Sequence, residues 1–156
     1  MAFSNATGRP ESGVVGLVVS PCQDDLRPLR GALPSNWILY VASGAEEATN
    51  ILRQTSVPVI LCESELPDGN WKGLLSALTG MQNPPLMIVT SRLADEYLWA
   101  EVLNLGGYDV LAKPFNSIEV IQVMSMACRR WNDAWKNGSG ENGRWPKLLN
   151  GNRTPP

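Results

Sequence analysis

The sequence predicts an α/β fold, a parallel sheet with helices on both faces. Three observations carry this. Short apolar runs alternate with amphipathic stretches along the chain. The runs are nearly continuous in Val, Ile and Leu, as strands buried on both faces require. Two of the amphipathic stretches open on helix-start signals, Ser43-x-x-Glu46 and Asn116-x-x-Glu119, which read as capping boxes, the second with Asn in place of Ser or Thr. Strand–helix alternation of this kind is the pattern of a sheet wound on both sides.

In chain order, the first run is Val14–Val19, followed by an amphipathic stretch near Asp25–Leu33. The second run, Trp37–Ala42, leads into the stretch Gly44–Gln54 behind the first capping box. The third, Val57–Cys62, ends on Glu63 and is followed by Trp71–Thr79. The fourth, Leu86–Thr90, precedes Ala94–Leu105, whose inward stripe is read as Ala94, Leu98, Val102 and Leu105. The fifth, Tyr108–Ala112, precedes a long last helix, Asn116–Lys136. No internal repeat interrupts this order.

Length and composition bound the rest. A chain of 156 residues is about one domain with room for a core. Its formal charge of -2 leaves no electrostatic footprint for nucleic acid or an anionic membrane. Histidine is absent, which removes His bases, His metal sites and any phosphohistidine role. Cys22, Cys62 and Cys128 lack metal-type spacing and read as reduced thiols, buried as small hydrophobes. No apolar run approaches the ~20 residues of a membrane span, and no signal pattern opens the chain, so a cytoplasmic location is expected. Residues 1–13 read as a flexible N-terminal arm, 14–136 as the folded domain and 137–156 as a disordered tail. That tail is too short and too polar for a DNA-binding module.

In sheets of this kind the carboxyl ends of the strands carry the ligand site. The first run ends at Ser20-Pro21, the third at Glu63, the fourth at Thr90-Ser91 and the fifth at Lys113-Pro114. The alternation alone therefore brings a carboxylate, a hydroxyl and an ammonium to one edge.

Three stretches, in this order and spacing, resemble the response-regulator receiver domain of the CheY-like family. They are Val59 to Gly69, with Glu63 followed by Leu66-Pro67 and Gly69; Pro85 to Ser91, ending in Thr90; and Gly106 to Phe115, with Lys113-Pro114-Phe115. The match covers about Val14 to Trp135. The resemblance implies a flavodoxin-like, doubly wound three-layer sandwich with a five-stranded parallel sheet of order 2-1-3-4-5. It implies that an acid pair after the first strand and an acceptor Asp hold Mg²⁺, that the Asp takes a phosphoryl group from a partner histidine kinase, and that Thr90 and Lys113 grip the phosphoryl oxygens. It also implies a cis Lys113-Pro114 bond.

The chain departs from that pattern in three places. Ser20 and Pro21 stand at the acid-pair positions, so both metal carboxylates are missing. Asp24 and Asp25 follow, in the loop or first helical turn. Glu63 stands at the phosphoacceptor position, one methylene longer than Asp, and Val110 at the aromatic switch position. Mg²⁺ is therefore expected to bind weakly or not at all, and no cofactor or metal site is assigned. A misplaced nucleophile of about 1 Å alone costs ~10²-fold.

The preferred function is a stand-alone, non-enzymatic pseudo-receiver that signals through protein contacts, with Glu63 holding the negative charge and Lys113 neutralising it. A purely structural ion pair is also open. One alternative is a genuine phosphoacceptor at Glu63 with Mg²⁺ and a histidine kinase. Another is a small-ligand or redox sensor at the same edge using Cys62 or Cys22; strand alternation turns Cys62 away from Glu63, which weakens it. The expected partner is a signalling protein or a second copy of the chain. Its face is sought at Trp99 and Leu103, which the helical period places outside the inward stripe, and at Trp131 and Trp135 near the end of the last helix.

Overall fold

The computed structural model describes residues 14–22, 24 and 26–136. The expected arm, the tail, Asp25 and the side chain of Trp135 lie outside the described residues.

Among the described residues seven strands and five helices follow in sequence: β1 Val14–Val19, α1 Leu26–Ala32, β2 Ile38–Ala42, α2 Ala45–Gln54, β3 Val59–Glu63, β4 Glu65–Leu66, β5 Gly69–Asn70, α3 Trp71–Leu78, β6 Leu86–Ser91, α4 Glu96–Leu105, β7 Asp109–Ala112 and α5 Ser117–Lys136. The main sheet is parallel, in the order β2-β1-β3-β6-β7. With the two-residue strands set aside this is the expected 2-1-3-4-5. Those two strands, unforeseen in the sequence, form a small antiparallel hairpin just after Glu63, with Glu65 opposite Asn70 and Leu66 opposite Gly69. Gly69 has φ +145°, a backbone conformation that side chains with a Cβ rarely adopt.

The unbroken apolar runs are explained by two cores, one on each face. Alternate strand residues divide between them. Leu17, Val19, Ile60, Cys62, Met87, Val89 and Val110 pack with α2, α3 and α4. Val18, Val59, Leu61, Leu86, Ile88 and Leu111 pack with α1 and α5. The second core is closed by Trp131, which is completely buried and donates its indole N–H to the Pro84 carbonyl at 3.0 Å. Trp131 is therefore core, and the expected partner role at this position is corrected. Residue 131 follows Met124 and Ala127 along the stripe of α5 that faces the sheet.

Helix α4 also differs from expectation. Its N-cap is Asp95, whose side chain accepts from the Leu98 amide at 2.9 Å, so the helix starts at Glu96 rather than Ala94. Its inward side is Leu98, Trp99 and Val102, while Leu105 is 52% exposed. Trp99 thus packs on the first core and Leu103 is half-buried, so neither stands out as a free anchor. The large apolar side chains most exposed here are Leu93 and Tyr97, with Ile118 at the start of α5.

The capping expectations are half met. Asn116 Oδ1 accepts from the Glu119 amide at 3.1 Å. At α2, the Ser43–Glu46 box is replaced: Ser43 is tied to Glu47 Oε1 through its amide and hydroxyl, and the N-cap is Gly44, which has no side chain to cap with. The first amides of α2 are served from elsewhere, by Asp68.

Candidate functional site at the carboxyl edge of the sheet

The strand pleat explains how the site forms. Glu63 continues the row Val59–Leu61 on β3, Thr90 continues Leu86–Ile88 on β6, and Lys113 continues Leu111 past β7. All three rows face α1 and α5. Glu63 and Thr90 are register partners on adjacent strands. Where the apolar rows end, the next side chains on the same face are a carboxylate, a hydroxyl and an ammonium.

They meet at a single atom. Glu63 Oε2 accepts from Lys113 Nζ at 2.5 Å and from Thr90 Oγ1 at 3.3 Å. The side chains of Lys113 and Glu63 are 5% and 16% exposed, and Thr90 is buried. Low exposure strengthens the attraction relative to a surface pair. The Lys113–Pro114 bond is cis, as the resemblance implied, and the Lys113 amide donates to the Ser91 carbonyl at 3.0 Å, anchoring the end of β7 to β6.

Ser20 lies at the end of β1 and is buried, its hydroxyl oxygen accepting from the Cys22 amide at 3.1 Å. Pro21 is exposed and has no side-chain donor atom. Asp24 is exposed in the loop beyond. Among the described residues no group of three Asp, Glu, Cys or His side chains is placed to hold a metal ion. A hard dication needs several oxygen ligands. Among the described residues one carboxylate, Glu63, stands with Thr90 and Lys113, and its Oε2 already faces an ammonium. The described residues do not fit Mg²⁺. Val110 is buried in the first core, so no ring at that position can move against Thr90.

Cys62 gives no support to redox chemistry at this edge. Burial, and then the charge of Glu63, push the Cys62 thiol up to about 12, and burial pushes Cys128 up to about 12. A thiol so raised is a poor nucleophile. The groove lined by Arg30, Leu33, Pro34 and Trp37 lies at the turn between α1 and β2, at the opposite end of the strands.

Sequence reasoning missed Asp68. It sits in the quoted motif, but its role depends on α2, more than twenty residues upstream, and no local pattern reports that contact. Its carboxylate is held below the usual range by the amides of Ala45 and then Glu46.

No protein-family model matches the chain. It is 32% identical over 108 residues to the probable transcriptional regulatory protein y4xI of Sinorhizobium fredii, an alignment covering 69% of this chain and 48% of that protein. The chain thus spans about half the length of that relative. Among solved structures it is similar to the receiver domain of Francisella response regulator 1452, with TM-score 0.66, 23% identity and 74% and 96% of the two chains covered. It is similar to the signal receiver domain of an HD domain-containing protein from Pseudomonas fluorescens Pf-5, with TM-score 0.71, 22% identity and 87% and 97% covered. A CheY-like receiver domain protein from Methanospirillum hungatei JF-1 gives TM-score 0.67 at 18% identity, with 76% and 95% covered. Sheet order, the two helical layers and these likenesses agree: the chain has the CheY-like receiver fold of the response regulators.

Proposed function

We propose that this chain is a receiver-like module of two-component signalling that works through protein contacts and does not take phosphate at Glu63. The observation that carries this reading is the convergence of Lys113 and Thr90 on Glu63 Oε2. In the resemblance those two residues grip a phosphoryl group. Here they grip the side chain itself. The glutamate supplies a fixed negative charge where a transferred one would stand, and the lysine neutralises it.

Ser20 and Pro21 support the same reading, because a phosphoryl dianion beside a carboxylate needs a cation between them. The module is non-catalytic in this reading, and Mg²⁺ binds weakly or not at all. The partner is a protein, and the exposed Leu93, Tyr97 and Ile118 are the apolar side chains it would meet. The curated relative is named as a transcriptional regulatory protein; since the chain spans about half of it, a transcriptional output is not carried over.

The test is an amide NMR titration with Mg²⁺ and then beryllofluoride. The expected result is no localised shift at Glu63, Thr90 or Lys113. Saturable shifts at those three residues would sink the reading. A triple variant, Ser20→Asp, Pro21→Asp and Glu63→Asp, should accept label from acetyl phosphate while the parent does not.

A further inference from the structure

We propose that Asp68 latches the segment after Glu63 to the first turn of α2, so that loop and helix end form one unit whose release loosens the contacts at Glu63. The carboxylate spans a gap of more than twenty residues. Oδ1 accepts from the Ala45 amide at 2.9 Å and Oδ2 from the Glu46 amide at 3.0 Å. These are the first two amides of α2, which no intrahelical carbonyl can serve.

Both sides are shaped for the contact. On the helix side, Gly44 is the N-cap and brings no side chain of its own. A Cβ there would stand 2.7 Å from Asp68 Oδ1 and 3.1 Å from its Cγ, so with any other residue at this position the carboxylate would have to shift from its present place. On the loop side, the β4–β5 hairpin turns at Pro67-Asp68, and Leu66 is buried in the same core as Ala48 and Leu52 of α2. Apolar burial beneath and paired hydrogen bonds above hold hairpin and helix together.

The latch reaches the site through a short chain of backbone bonds. Ser64, the residue after Glu63, donates its amide to the Thr90 carbonyl at 2.9 Å and accepts from the Trp71 amide at 3.3 Å. The hairpin between Ser64 and Trp71 is the element Asp68 ties down. A hairpin freed from α2 pulls first on Ser64, and Ser64 is bonded to Thr90, one of the two donors to Glu63 Oε2. Asp68 itself is exposed, so a protein seated on the start of α2 can compete for it. The inference concerns a backbone linkage and stands whether or not Glu63 takes phosphate; the beryllofluoride titration decides that separate question.

The experiment is amide hydrogen exchange by NMR on the full chain and on Asp68→Ala, Asp68→Asn and Gly44→Ala. Asp68→Ala should exchange Ala45 and Glu46 about fivefold faster, the size of a lost helix cap. It should also speed exchange at Ser64 and shift the Thr90 and Lys113 signals. Gly44→Ala, which displaces the carboxylate without removing it, should do the same. Should Asp68→Ala not fold, Asp68→Asn, which keeps one acceptor oxygen, is read by the same signals. Faster exchange confined to Ala45 and Glu46, with Ser64, Thr90 and Lys113 unmoved, would make Asp68 a plain helix cap and overturn the proposal.

Discussion

Lys113 Nζ stands 2.5 Å from Glu63 Oε2, and the lysine side chain is 5% exposed. The two residues are fifty positions apart, Glu63 at the end of β3 and Lys113 just past β7, with β6 between those strands. Removing one member leaves the other in a poorly solvated place. Glu63→Gln or Lys113→Met should each lose stability toward about 3 kcal/mol, the low end for broken buried pairs because Glu63 keeps some contact with water. The double variant should lose much less than the sum. Denaturant unfolding of the four proteins checks this. Additive losses would mean that the pair contributes little beyond its two side chains.

Trp131 should be the most costly aromatic to remove. It is completely buried, and its indole N–H is paired with the Pro84 carbonyl. Trp131→Ala should lose about 3–5 kcal/mol through cavity formation and lost burial. Trp131→Phe should lose less, since most of the volume remains and the Pro84 carbonyl loses one donor. Thermal unfolding of both variants gives the comparison. A near-neutral Trp131→Ala would place the residue outside the core.

The thiols should divide sharply by reactivity. Cys62 and Cys128, both pushed up to about 12, stay protonated at neutral pH. The thiolate is the reactive form. In the native protein a disulfide-exchange reagent should therefore modify Cys22 well before the other two, which should react at comparable rates only after denaturation. Rapid native labelling of Cys62, read by peptide mapping, would restore a redox role for that residue.

Much of this was legible in the sequence, and the misses have a common cause. The apolar runs could be read because a strand buried on both faces leaves no polar gaps, and the five main strands lie within two residues of their expected bounds. The meeting of Glu63, Thr90 and Lys113 could be read because each is the first polar residue past an apolar row, and alternation sends all three to one face. Trp99 and Trp131 were not legible as core. Periodicity gives an angle around a helix, while burial depends on where the helix starts and how far the neighbouring layer extends. Asp95 moved the start of α4, and the second core reached far enough along α5 to enclose Trp131. The α2 cap was misread for the same reason: Ser43 and Glu46 fit a local motif, but Asp68 supplied a better partner from another loop.

The Asp68 cap carries a pH signature. Its carboxyl is held below the ordinary value of 3.8 by the amides of Ala45 and Glu46, which favour the charged form. A depressed folded value means that stabilisation is full above the unfolded value and is lost as pH falls through the folded one. At the joined ends of the two elements the other charged groups are Glu46 and Glu47 in the first turn of α2 and Glu65 in the hairpin. All are acids, so their own protonation at low pH reduces repulsion around Asp68 and works against the loss. The parent should therefore exceed Asp68→Asn in stability at neutral pH, with the difference narrowing as pH falls below 3.8. Urea unfolding of both proteins across that range measures it. A difference that stays constant with pH would show that the carboxylate's charge plays no part in holding α2, leaving only the geometry of the two hydrogen bonds.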